Sequence, residues 1–442
     1  MMKKISRWIA VTLCAALCVC GCTAKDGADE TKKPEASETK KDNNKKEKSY
    51  QKKLDLIKPS AYDNVMGLKL EAGTSFSIIG KAEDVPYWEE VRRGAEQAVK
   101  DINENLGYEG KKQVKVTYSA PSTPDNVDEQ VNILDEELAR YPAALGIAIV
   151  DTKACEVQFD LAAESDIPVV AFDSGSDYQG LMAMVSTDNR TAAREAAQKL
   201  AESVDEKGEV ILFIHDSKSE SAMTREQAFR EEMEGNYPEI TIAEIYYMDQ
   251  LSEMQKAIAA EMKGVQDDAE ESGNDDANGG DGNDSQPGEE GENVNPEEET
   301  EEREGDNHNQ PGEESENVNP EDLVDLLSEE EVIDYLFEKH PEVKGVYATN
   351  GEAVKLAVEA VERNDSRASI IGFDADKEVL EALEAGIVDE LVLQNPFGMG
   401  YAAVVASARA ALSMGNEAVV DTGYVWITKR NLEEEGIQRL LY

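Results

Sequence analysis

Short apolar runs alternate with longer amphipathic ones along most of this chain. Ser75–Ile79 reads as a strand, and Trp88–Ile102 as a helix with Val91, Ala95, Ala98 and Ile102 on one face. Val114–Tyr118, Ala144–Val150 and Val169–Phe172 are further strands, separated by helices at Asp128–Tyr141 and Ala154–Glu164. Strands that are apolar on both faces and separated by helices pair in parallel under helical layers. The spacing therefore predicts a doubly wound α/β sheet before residue 175. The rhythm then restarts. Helices at Ala192–Val204, Arg225–Glu234, Leu251–Lys263, Val332–His340, Ala353–Glu362 and Lys377–Ala385 alternate with strands at Val210–Ile214, Ile240–Tyr246, Gly345–Ala348, Ser369–Phe373 and Glu390–Gln394. A helix rich in small residues, Met399–Met414, and a last strand, Tyr424–Thr428, complete the pattern. Two such halves in one chain imply two α/β lobes facing each other.

The rhythm is broken once. Residues 264–322 hold 23 acidic residues and one Arg. Within them Gln286–Glu297 returns as Gln310–Glu321, with Gly291 changed to Ser315. A repeat this polar cannot bury a core, so it reads as a low-complexity insertion over 264–324 in a loop of the second lobe. Gly279–Asp284 imitates one calcium-binding nonapeptide, and the frame from Asn274 imitates an EF-hand loop. A β-helix needs several nonapeptides, and the EF-hand frame has Ser285 where Glu is required, so no metal site is expected.

The opening residues carry a different signal. Lys3, Lys4 and Arg7 precede an apolar run from Trp8 to Val19, followed by Gly21 and Cys22. That run is too short to cross a membrane and reads as a signal peptide over 1–21. Val19-Cys20-Gly21-Cys22 resembles the bacterial lipobox, which implies a lipid on the Cys22 sulfur. Residues 23–58 are mostly Lys, Asp, Glu, Asn and Ser, the composition of a flexible tether, whose end is set at residue 70. Past Cys22 only Cys155 remains, so no internal disulfide is expected, and Cys155 reads as a packed residue rather than a nucleophile. The net charge of −50 argues against nucleic acid as a partner.

No catalytic set is visible. His308 lies in the acidic stretch, His340 ends a helix, and His215 follows a strand, where a turn or core role is expected and a place in a cleft is the alternative. No zinc spacing, P-loop or dinucleotide fingerprint is present, so neither enzyme chemistry nor a cofactor is predicted. What recurs instead is a polar or aromatic residue just past a strand end, where ligands of α/β sheets sit. These are Tyr87 and Trp88, then Asp173, Arg225, Asn350, Asp374 and Gln394. Carboxylates, amides and a guanidinium can each pair with neighbouring hydroxyls, and aromatic rings cover the C–H faces of a sugar. A small sugar or polyol is the ligand these residues suit.

Several segments in order carry a family resemblance: Pro86-Tyr-Trp-Glu-Glu-Val-Arg-Arg-Gly-Ala95, Ile167–Asp173, Ser186-Thr-Asp-Asn189, His340–Ala348, Gly372-Phe-Asp374 and Asp421-Thr-Gly423. Over residues 72–263 and 325–432 the chain resembles the type 1 periplasmic solute-binding proteins of the ribose and galactose group. The resemblance implies two Rossmann-like lobes with parallel sheets, joined by a three-strand hinge. Lobe 1 would span 71–187 with 395–420, and lobe 2 would span 188–394 with 421–442. It also implies a monomer that delivers its sugar to an ABC permease at the outer face of the cell membrane. A membrane sensor is the alternative partner, and an exported enzyme a third reading. In the family, Tyr87 and Trp88 match the stacking aromatics, Asp173 and Arg225 the principal charged ligands, and Asn350, Asp374 and Gln394 the remaining polar ones. Val85, Ser174 and Gly351 depart from the ribose binders' Asn, Arg and Asp, so ribose itself is not implied.

Overall fold

The computed structural model describes residues 48–261 and 327–442. The leader, Cys22, the tether up to residue 47 and the acidic stretch with its calcium-like motifs lie outside the described residues.

Two six-stranded sheets are present, one for each half of the repeated rhythm. The first contains β1 (Ser75–Ile79), β2 (Lys115–Ser119), β3 (Ala144–Ile147), β4 (Val169–Phe172), β5 (Leu181–Ser186) and β11 (Val419–Asp421), in the order β11-β5-β4-β3-β1-β2. All of its pairings are parallel. The second contains β6 (Gly208–Ile214), β7 (Ile240–Tyr247), β8 (Val343–Ala348), β9 (Ser369–Phe373), β10 (Glu390–Gln394) and β12 (Tyr424–Thr428), in the order β12-β10-β9-β8-β6-β7. It is parallel except where β12 runs against β10. Neither β5 nor β11 is read from the sequence. β5 carries the exposed Met182, and β11 has three residues with Val419 exposed, so neither shows a buried strand's apolar run.

Helices cover both faces. Lobe 1 has α2 (Pro86–Leu106), α3 (Val127–Leu138) and α4 (Glu156–Glu164). Lobe 2 has α5 (Asn189–Ser203), α6 (Glu220–Asn236), a helix α7 over 251–261, α8 (Glu329–Lys339), α9 (Gly351–Arg363) and α10 (Lys377–Ala385). The chain then returns to lobe 1 as α11 (Pro396–Ala411). Among the described residues no helix is long and apolar enough to cross a membrane.

The start of α2 has a local cause. Pro86 occupies its first turn, where a missing N–H costs nothing, and Gly107 ends it in the left-handed conformation. α11 is buried nearly all round, which suits a helix laid between a sheet and α2. The two helices touch backbone to backbone. A Cβ on Gly94 would lie 2.0 Å from the Phe397 carbonyl oxygen, and one on Gly400 would lie 1.9 Å from that of Val91. Only glycine permits this reciprocal approach.

The chain passes between lobes after β5, after β10 and between β11 and β12, and these crossings are bonded to one another. Thr422 N donates to Ser186 O at 2.9 Å, Thr187 Oγ1 to Gln394 Oε1 at 2.9 Å, and Asn395 Nδ2 to Thr422 O at 2.8 Å. Three neighbouring strands of chain form the hinge.

The structure corrects the tether boundary. Residues 48–70 are folded onto the body of the protein rather than free. They include a single helical turn, α1 (Gln51–Leu54), and Leu54, Ile57, Tyr62, Val65, Leu68 and Leu70 are all buried in the lobe 1 core. Lys58 forms an antiparallel bridge with Asp421 at the hinge. Asp101 on α2 then takes hydrogen bonds from Lys48, Tyr50, Gln97 and Tyr401. The polar average of the segment conceals apolar residues scattered singly among charges, each of which finds its own niche.

Candidate functional site

β4 and β9 end in the same way. Asp173 follows Phe172 with φ 61°, and Asp374 follows Phe373 with φ 72°. Left-handed backbone is uncommon outside glycine, and Asp tolerates it better than most residues. Each aspartate donates its N–H to the neighbouring strand at 2.9 Å, Asp173 to Val185 O and Asp374 to Val392 O. The two lobes thus present equivalent carboxylates at the carboxyl ends of their sheets.

Between them lies a cavity of about 320 Å³. All seven residues named from the sequence line it: Tyr87, Trp88, Asp173, Arg225, Asn350, Asp374 and Gln394. On the lobe 1 side, Tyr87 donates its hydroxyl to Asp173 Oδ1 at 2.8 Å and meets Trp88 edge to face at 5.1 Å. The ammonium of Lys81 lies 3.6 Å from Asp173 Oδ2. On the lobe 2 side, Arg225 is 3% exposed, and each of its three nitrogens makes one hydrogen bond. Its Nε bonds Asn189 Oδ1 at 2.9 Å, and its two terminal nitrogens bond Thr349 O at 2.6 Å and Gln394 Oε1 at 2.9 Å. The guanidinium also stacks on Phe373, 4.2 Å from the ring centroid. Gln394 passes the network on, donating to Asp374 Oδ1 at 2.6 Å, while Gly351 N donates to Asp374 Oδ2 at 3.1 Å. Asn350 caps α9 through its Oδ1, which accepts from Ala353 N at 2.8 Å.

Burial dominates the electrostatics. It raises the Asp374 carboxyl above its ordinary value, against the opposing pull of Arg225 and of the Gln394 and Gly351 hydrogen bonds. The Tyr87 phenol is raised well above its ordinary value by burial and by the nearby carboxylates of Asp173 and Asp374. His215 combines the core role and the cleft alternative, because its side chain is only 8% exposed and also lines the cavity. Burial depresses its pKa below the ordinary imidazole value, against the opposing pull of Asp216 beside it, which favours the neutral ring. Its Nδ1 is 2.7 Å from Thr349 Oγ1.

Sequence reasoning passes over Lys81, Asp125, Ser221, Asp376 and Tyr442, which also line the cavity. Lys81 carries a legible signal, since it stands just past β1, as Asp173 stands past β4 and Asp374 past β9. Tyr442 carries none, because only the path of the chain brings it there. Ser174, where ribose binders have Arg, is fully buried and its Oγ accepts from Ser221 N at 3.4 Å, linking the lobes directly. Among the described residues no cluster of His, Cys, Asp or Glu has the makings of a metal site.

The profile of the periplasmic binding protein domain matches residues 76–270 and 324–416, which is most of the described chain. The protein belongs to that family. Its fold recurs in a carbohydrate transporter solute-binding protein from Agrobacterium radiobacter, solved in complex with D-arabinose, with a TM-score of 0.60 and 23% identity. That match covers 84% of this chain and 99% of the other. An ABC transporter solute-binding protein from Agrobacterium vitis, bound to α-D-tagatopyranose, matches with a TM-score of 0.60 and 19% identity over 84% of this chain and 99% of that one. A glucose-galactose binding protein from Geobacillus stearothermophilus matches with a TM-score of 0.57 and 21% identity, covering 82% and 99% of the two chains. No curated protein sequence matches the chain.

Proposed function

We propose that this family member captures a monosaccharide in the cleft between its lobes and delivers it to an ABC permease, held at the outer face of the cell membrane by a lipid on Cys22. The observation that carries the reading is the pair of left-handed aspartates, Asp173 and Asp374, converging with Arg225, Asn350 and Gln394 on one aromatic-walled cavity. A sugar hydroxyl both donates and accepts, and the cavity offers carboxylate acceptors beside cationic and amide donors. Its volume lies at the small end of the ~300–1,000 Å³ usual for small-molecule sites, as a single ring requires. Tyr87 and Trp88 supply surface for the apolar faces of that ring.

Capture follows from the hinge. Rotation about the three crossings would part Asp173 and Tyr87 from Arg225, Asp374 and Gln394, and a sugar touching both groups favours the closed arrangement. The structural relatives with bound D-arabinose and α-D-tagatopyranose support this choice of ligand class. The test is a thermal-shift panel of pentoses, hexoses and polyols. A ligand at a hundred times its Kd adds about 2.7 kcal/mol to the stability of a protein that binds it only when folded. At least one monosaccharide is expected to raise the melting temperature, and a flat response across the panel refutes the sugar reading.

A further inference from the structure

The segment after β12 reaches back into the cleft. Leu432 and Leu440 are buried in the lobe 2 core, which fixes the path of residues 429–442, including a short turn of helix, α12 (Glu435–Gln438). Tyr442 then packs against the apolar cores of both lobes. Its ring meets Tyr87 of lobe 1 edge to face, with centroids 5.9 Å apart and planes at 79°. Its hydroxyl lies 3.4 Å from Asp374 Oδ1 and accepts the Ala375 N–H at 3.3 Å, both in lobe 2. The neighbouring residue is tied down separately. Lys53 Nζ donates to Leu441 O at 3.2 Å and to Glu90 Oε2 of α2 at 2.9 Å.

We propose that Tyr442 is a ligand-contacting residue, forming a third aromatic wall of the cavity beside Tyr87 and Trp88. The residues before it act as a strap that spans the two lobes and holds this wall in place. This role of Tyr442 rests on the reading of the cleft as a sugar site and adds a specificity determinant to it. Two features separate a wall from mere packing. Tyr442 lines the cavity itself, and its hydroxyl addresses the same Asp374 oxygen that Gln394 orients. A ring edge-to-face with Tyr87 enlarges the apolar surface available to a bound ring, while its hydroxyl limits how far a ligand can extend toward Asp374. The ligand class that fits is a monosaccharide with one apolar C–H face and a hydroxyl able to reach Asp374.

The experiment compares the full chain with Tyr442→Ala and Tyr442→Phe by calorimetric titration of whichever monosaccharide gives the largest thermal shift, with hydrogen exchange of the unliganded proteins alongside. Tyr442→Ala is expected to weaken binding about tenfold, which corresponds to ~1.4 kcal/mol, while Tyr442→Phe stays within about threefold of the parent because the ring is kept. The Ala375 amide is expected to exchange faster in Tyr442→Ala. Unchanged affinity in Tyr442→Ala overturns the proposal while leaving the sugar reading intact. If the parent chain binds no sugar in the panel, the sugar reading falls and exchange decides the strap alone. The ligand contact falls with that reading; faster exchange at Ala375 then sustains only the strap's hold on Tyr442, and unaltered exchange overturns that as well.

Discussion

Gly400→Ala should be among the most damaging single-methyl additions to this protein. The new Cβ would stand 1.9 Å from Val91 O, 2.8 Å from Val91 C and 3.1 Å from Ala95 N. Those atoms are helix backbone and cannot rotate away, so α2 and α11 must part by about 1.5 Å to restore ordinary contact near ~3.5 Å. Overpacking of this kind costs about 3 kcal/mol, at the upper end of the usual range. The better helix propensity of Ala returns about 1 kcal/mol. A net loss of about 2 kcal/mol lowers the melting temperature by about 4–8 °C in a domain of this size class. Gly94→Ala, whose Cβ would meet Phe397 O at 2.0 Å, should behave alike. The double variant should cost clearly less than the two singles combined, because one separation of the helices accommodates both methyls. Calorimetric melting of the four proteins measures this directly. The effect also reaches the cleft, since Tyr87 and Trp88 sit in the first turn of α2 and Tyr87 contacts Met399 of α11 at 3.6 Å. Single variants that remain folded should therefore bind ligand more weakly. A Gly400→Ala protein that melts at or above the parent temperature, or strict additivity in the double variant, would refute the reasoning.

Other outcomes are equally specific. Asp173→Ala and Arg225→Ala should each weaken sugar binding about 10–100-fold, the worth of one charge-assisted hydrogen bond, with far-ultraviolet circular dichroism unchanged; parent-like affinity in both would remove them from the site. Asp101→Ala strands four donors, from Lys48, Tyr50, Gln97 and Tyr401, and should cost about 2–3 kcal/mol while exposing residues 48–58 to limited proteolysis. Burial opposes ionisation of Asp101, but the Lys48, Tyr50 and Gln97 hydrogen bonds prevail and hold its pKa below the ordinary value. Its contribution is therefore complete above the unfolded value near pH ~4 and is lost as pH falls further, so the proteolytic difference between parent and variant should narrow in that acid range. Burial, with Asp151 and Asp135 nearby, pushes the Cys155 thiol up to about 12, and the residue is 2% exposed. Mass mapping after maleimide treatment at neutral pH should find Cys155 unlabelled in the native protein and labelled in denaturant.

The site residues that sequence reasoning names share a property that makes them legible. Asp173, Asn350, Asp374 and Gln394 stand at or just past the ends of strands whose apolar runs are unmistakable, so the strand locates the ligand position. Arg225 needs one further step, because it stands on α6 and reaches the cleft only by crossing to Thr349 and Gln394. Where the apolar run is diluted, legibility fails. β5 and β11 lie at the outer side of their sheet with exposed Met182 and Val419, and residues 48–70 bury six apolar side chains inside a polar composition.

Tyr442 marks the limit of that logic. No periodicity or spacing near residue 442 points to a cleft formed by Tyr87 and Asp374, residues far away in sequence. Its position depends on Leu432 and Leu440 entering the lobe 2 core and on Lys53 gripping Leu441. Lys53 belongs to the very segment whose polar composition suggests a free tether, and it bonds Glu90 two residues after Trp88 in the same helix. The features hidden from sequence are therefore connected in space: the folded N-terminal segment, the returning C-terminal one and the third aromatic ring. Strand ends supply polar groups that any member of this architecture can display at its cleft. The surface that closes around a particular ring comes from chain segments outside the regular βα rhythm, which is why the class of ligand is readable here before its identity.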